Sequence, residues 1–164
     1  MGAMTLVACN QEKEKVEDQF NYTVEQFADL QLLRFKVHGF EELPLKQKEL
    51  VYYLSEAALQ GRDILFDQNG KYNLIIRKML EVVYTDYQGD RSDANFKNFE
   101  TYLKRVWFSN GIHHHYAADK FVPGFTPEFF KSALESVDAS KLPLAEGETL
   151  DALCKEVFPV IFDS

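Results

Sequence analysis

The chain has 164 residues, 46% apolar and 27% charged, the balance of one ordinary folded domain with its own core. Its formal net charge is −8 and it has no basic tract, which excludes the Lys/Arg footprint of a nucleic-acid binder. No stretch is long and apolar enough to span a bilayer, and the two cysteines, Cys9 and Cys154, make neither a disulfide framework nor a zinc-ligand spacing.

Met1-Gly2-Ala3-Met4 reads as a cloning remnant. Leu6-Val7-Ala8-Cys9 then resembles the lipobox of bacterial lipoproteins, which implies a lipid anchor on Cys9 and a place in the bacterial cell envelope. The alternative is a chance apolar tetrapeptide in a cytoplasmic protein. Residues 10–19 are polar and charged, the composition of a disordered tether. Residues 1–19 are therefore set apart, and residues 20–164 are expected to form one helical domain.

Phe27 to Val37 partly alternates, with Leu33, Phe35 and Val37 on one side, and predicts an extended segment ending at His38-Gly39. Phe27, Leu30 and Leu33 would equally line a short helix. From Pro44 the period becomes helical. Leu50, Leu54, Ala57 and Ala58 predict one apolar face that runs to Gly61. Asn69-Gly70 predicts a turn. A second helix is expected from about Tyr72 to Tyr87, burying Ile76, Met79, Leu80, Val83 and Tyr87. A third is expected from about Ala94 to Phe108, capped by Ser92 or Asp93, with Phe96, Phe99, Leu103, Val106 and Trp107 on its face.

Thr126-Pro127-Glu128 is a helix start: a capping hydroxyl, a proline at the first helical position, and an acid at the positive end of the dipole. Its helix carries Phe129, Phe130, Leu134 and Val137. Thr149 is placed to cap a last helix with Leu150, Leu153, Val157 and Ile161, which Pro159 should end or kink. Cys154 falls on that apolar face and reads as a small buried hydrophobe. The predicted fold class is mainly α: a single bundle-like helical domain of about five helices, with a minor extended segment near the N-terminus.

Trp107 to Pro123 is the segment richest in chemistry. His113, His114 and His115 sit with aromatic residues in a Gly-containing, Pro-terminated stretch that cannot be one regular helix. Successive residues on a helix point about 100° apart, so three imidazoles could not converge on one ion there. In an extended loop His113 and His115 would share a side. A zinc site needs a further ligand, for which Asp119 and His38 are the candidates, and a loop of stacking, hydrogen-bonding imidazoles is the favoured reading. Asp67-Gln68-Asn69-Gly70 lacks the spacing and closing Glu of a calcium loop and reads as a turn. The chain has no nucleophile elbow and no phosphate-cradling glycine loop. For Tyr52-Tyr53 and Trp107-Phe108, core packing is expected to explain one member of each pair.

The segments Leu50 to Ile64, Ser109 to Tyr116 and Lys120-Phe121-Val122-Pro123 resemble the N-terminal part of the dipeptidyl-peptidase III family, in its Bacteroides-type members. The resemblance runs from about Phe20 to the C-terminus. It implies a zinc-dependent exopeptidase that releases dipeptides from the N-termini of oligopeptides, with two lobes around a wide cleft. It also implies a zinc held by a His-Glu-x-x-x-His motif and a further Glu. None of His38, His113, His114 or His115 is followed by Glu, so this motif is missing here. The chain is accordingly expected to be a piece of the lobe that walls the substrate cleft, inactive alone and without the parent's zinc. The remainder of the peptidase and an oligopeptide substrate are its expected partners. Ser109, Asn110, His113, His115 and Tyr116 are the expected substrate-binding residues, with no catalytic or metal-binding residue in this chain. A piece of this kind should expose apolar surface and self-associate. The rival readings are a standalone envelope lipoprotein domain whose His-rich loop binds a partner or metal, and a small metalloprotein.

Overall fold

The computed structural model describes residues 20–163, which fall into two compact units that part between His38 and Gly39. The lipobox, Cys9 and the tether lie outside the described residues.

The first unit carries a β-hairpin of β1 (Thr23–Phe27) and β2 (Leu30–Leu33). Phe27 pairs with Leu30, so the turn is only Ala28-Asp29, and Ala28 takes φ 49 to close it. Tight hairpin turns need such a positive φ, and their usual signal is Asn-Gly. Ala-Asp gives no such signal, which is why the sequence reading saw one extended segment where the chain folds back. The register slips by one residue between Thr23 and Glu25, a bulge at Val24. Leu33, Phe35 and Val37 are all exposed.

The second unit is helical, as the periodicity predicts. Six α-helices occur among its described residues: α1 (Leu45–Gln60), α2 (Arg62–Gln68), α3 (Asn73–Asp86), α4 (Ala94–Ser109), α5 (Pro127–Glu135) and α6 (Leu150–Phe162). The first expected helix ends at Gly61, as α1 does, and a short further helix, α2, follows before Asn69. Asn69 and Gly70 then make the turn into α3. None of these helices is long and apolar enough to cross a membrane.

The caps are those the residues dictate. Asp93 accepts from the Asn95 N–H at 2.8 Å, Thr126 from Phe129 at 3.1 Å, and Thr149 from Ala152 at 3.2 Å. Pro159 does not end α6, which continues to Phe162. It costs the helix the bond that an N–H there would make to the Lys155 carbonyl, and one more turn still forms.

The core sits between α3, α4, α5 and α6. Ile76, Met79, Leu80, Val83, Phe99, Leu103, Val106, Phe130, Val157 and Ile161 are fully enclosed, and Leu134 nearly so. Aromatic rings knit the layers. Phe99 meets Phe125 edge-on at 5.5 Å, and Phe130 stacks on Phe158 at 5.5 Å. Cys154 is buried, and burial pushes its thiol up from the ordinary value.

α1 departs from expectation. Leu50, Leu54, Ala57 and Ala58 are not a buried face, and no residue of α1 is buried at all. Leu50 is 58% exposed and Leu54 60%. Tyr52 and Tyr53 pack on each other edge-on at 5.3 Å, and both are exposed, so neither is a core residue. Periodicity shows which face is apolar and leaves open what covers it.

Candidate functional site: a neutral pocket under the histidine loop

α4 ends at Ser109 because Asn110 turns into the left-handed region, φ 54, and the Asn110 and Gly111 N–H groups both close on Val106 O. The chain then doubles back as a narrow hairpin. Phe121 N–H donates to Ile112 O at 2.8 Å, His114 N–H donates to Asp119 O at 2.8 Å, and His113 bridges Lys120. The segment is thus a short two-stranded arm, not a free loop.

Asn73, the first residue of α3, anchors this arm. It is 4% exposed, and its Oδ1 accepts from the Ile112 N–H at 3.2 Å. Gly111 passes so close that a Cβ there would meet Asn73 Nδ2 at 2.5 Å. Only glycine fits that approach. Asn69 adds a second tie, its Nδ2 donating to Asn110 O at 3.1 Å. On the far strand, Lys120 Nζ donates to Val160 O at 3.2 Å and to Asp163 O, both at the end of α6.

Between these parts lies an open pocket of about 380 Å³. Asn69 and Asn73 line one side, Ser109, Asn110 and Gly111 the floor of the turn, and His113, His114, His115 and Ala118 the arm. Ser109 is 5% exposed, and its hydroxyl is buried without a hydrogen-bond partner. A ring stack runs along the arm. Phe108 meets His115 edge-on at 5.0 Å, His115 stacks on His114 at 4.5 Å, and Tyr116 leans on His115 at 4.2 Å. Tyr116 is 89% exposed at the rim. The Tyr116 N–H donates to His114 Nδ1 at 3.2 Å, which leaves Nε2 as the protonated nitrogen of a neutral His114 ring.

Four of the five residues expected to bind substrate, Ser109, Asn110, His113 and His115, line this one pocket, and Tyr116 packs on its edge. The sequence reading missed Asn69, Asn73 and His114. Asn69 carries only a turn signal in the sequence. A signal existed in Asn73, a polar residue just before the apolar run Leu74-Ile75-Ile76, but its partner is 39 residues away.

Among the described residues no three His, Cys, Asp or Glu side chains gather to hold a metal. In the arm His114 and His115 stack on each other and on neighbouring rings.

A second depression opens on the other side of Asn110, lined by Arg62, Phe66, Arg77, Glu81 and Trp107. Arg77 is 8% exposed and lies over the Phe66 ring at 4.6 Å. It pairs with Asp63 at 2.6 Å, while its Nε stands 3.4 Å from Glu81 without hydrogen-bond alignment. Trp107 is not a core residue: it is 38% exposed, packs edge-on against Tyr84 at 5.7 Å and donates its indole N–H to Glu81 at 2.8 Å. Phe108, 36% exposed, is not core either and belongs to the arm's ring stack.

No protein-family model and no curated protein matches this chain.

Proposed function

We propose that this chain is a wall of the substrate cleft of a zinc-dependent dipeptidyl peptidase, inactive by itself. The observation that carries the reading is the segment Ser109 to Pro123. It is the part of the sequence with the most specific resemblance to that family, and it folds as a pinned arm over a pocket lined by Ser109, Asn110, His113 and His115. Its role is to bind and orient an oligopeptide, with zinc supplied by residues outside this chain. The exposed apolar face of α1 supports the same reading, since the remainder of the peptidase is what would cover it. The lipid anchor on Cys9 and the envelope location belong to this proposal.

The test is dipeptide release from a chromogenic Arg-Arg amide with added zinc, run on this chain and on the product of the gene's full reading frame. Activity in the longer product alone is the expected result, together with membrane fractionation that Cys9→Ser abolishes. Activity in neither would shift the weight to a standalone interaction domain, and activity in this chain alone would overturn the reading.

A further inference from the structure

We infer that the histidine-arm pocket receives the acyl oxygens of a peptide, an amide carbonyl or a terminal carboxylate, and turns away the peptide's ammonium end. The inference rests on the peptide-cleft reading and states which part of the peptide the site takes.

The first ground is charge. The chain carries −8 overall, yet no Asp, Glu, Lys or Arg lines the pocket. An ammonium group is three donors with no acceptor. Removing it from water without an anion or a set of free carbonyls is costly.

The second ground is an inventory of acceptors and donors. Three acceptors around the pocket are engaged within the protein. Asn73 Oδ1 takes the Ile112 N–H, His114 Nδ1 takes the Tyr116 N–H, and Asn110 O takes the Asn69 amide. What remains is rich in donors. A neutral imidazole carries one N–H and one acceptor nitrogen, of which His114's acceptor is taken, and the Asn110 amide carries two N–H against one oxygen, so donors outnumber acceptors. The Ser109 hydroxyl, buried and unpartnered, completes the set. A buried hydroxyl without a partner is a standing cost that a ligand oxygen pressed against it would relieve.

The third ground is shape. The pocket's volume of about 380 Å³ suits one or two residues of a peptide. The stacked rings of Phe108, His115 and His114 offer a flat wall to a planar acyl group.

The experiment uses the full chain and follows its backbone and Asn side-chain amides by ¹H–¹⁵N NMR. Three probes are titrated: N-acetylalanine methylamide, N-acetylalanylalanine as the free acid, and alanine methylamide with a free ammonium group. The first two should shift the amides of His113–Ala118 and the side chains of Asn73 and Asn110 saturably in the millimolar range. The free-amine probe should bind at least about tenfold more weakly than its acetylated twin. Equal binding of amide and acid would identify carbonyls as the ligand group, and tighter binding of the acid would identify a carboxylate. The double variant His113→Leu/His115→Leu changes two exposed side chains and should weaken the acetylated probes about tenfold, with signals outside the arm unmoved. No saturable shift, or free-amine binding equal to or tighter than that of the acetylated probe, would overturn the inference. Acyl binding beside an inactive full-length product would keep the pocket's preference and remove the peptidase reading.

Discussion

Tyr102 gives the sharpest residue-scale test. It is 2% exposed, its hydroxyl has no partner, and burial alone raises its ionisation well above the ordinary range. A buried donor without a partner costs about 1–3 kcal/mol. Tyr102→Phe keeps the ring against Phe125 and deletes the orphan, so it should be neutral or stabilise by about 1 kcal/mol in thermal unfolding. A loss of stability would mean the hydroxyl is satisfied in solution. Asp63 gives a test in pH. The Arg77 guanidinium, hydrogen-bonded to it, holds its carboxyl below the ordinary value of 3.8, with Lys78 adding to the effect. A depressed folded-state value contributes stability above 3.8 that is lost as the pH falls through the lowered value. Asp63→Asn should therefore melt below the parent at neutral pH, with the gap closing as the pH drops under 3.8. With the carboxylate half exposed, solvent screening keeps that gap small.

At the level of elements, α1 and α3 make the contrast. Both have helical periodicity, but Leu80 is fully buried and Leu54 is 60% exposed. Leu80→Ala should cost about 2–5 kcal/mol in denaturant unfolding. Leu54→Ala should stay within about 0.5 kcal/mol. Equal costs would show that α1 packs on the core in solution. The same contrast marks what was legible in the sequence. Caps at Asp93, Thr126 and Thr149 and the buried stripes of α3, α4 and α6 follow from local chemistry, so they could be read directly. The turn at Ala28-Asp29, the fate of α1 and the pairing of Asn73 with Ile112 depend on a strained φ or on contacts far along the chain. Local pattern carries no record of either. Ser109, Asn110, His113 and His115 could be gathered into one site because 17 successive residues, 107–123, hold them all. The asparagines that pin the arm could not.

For the molecule as a whole, the consequence of α1 is adhesion. Leu50, Val51 and Leu54 fall on one stripe of α1, each more than two-fifths exposed, with Tyr52, Tyr53, Ile64 and Leu65 exposed nearby. Lone proteins rarely leave contiguous apolar patches beyond about 300–600 Å² uncovered. The isolated chain should self-associate with rising concentration in sedimentation equilibrium, and Leu50→Glu with Leu54→Glu should return it to monomer. A wild-type monomer at high concentration would rule that out.

Lys120 ties the far strand of the histidine arm to the last carbonyls of α6, so one of its moorings is a helix end. Helix ends fray more readily than helix middles. Opening of that final turn would release Lys120, while the Phe121–Ile112 and His114–Asp119 bonds and the buried Phe121 ring still hold the far strand. The far strand therefore has two moorings, one to a helix end and one to its own partner strand, and only the first loosens when that helix frays.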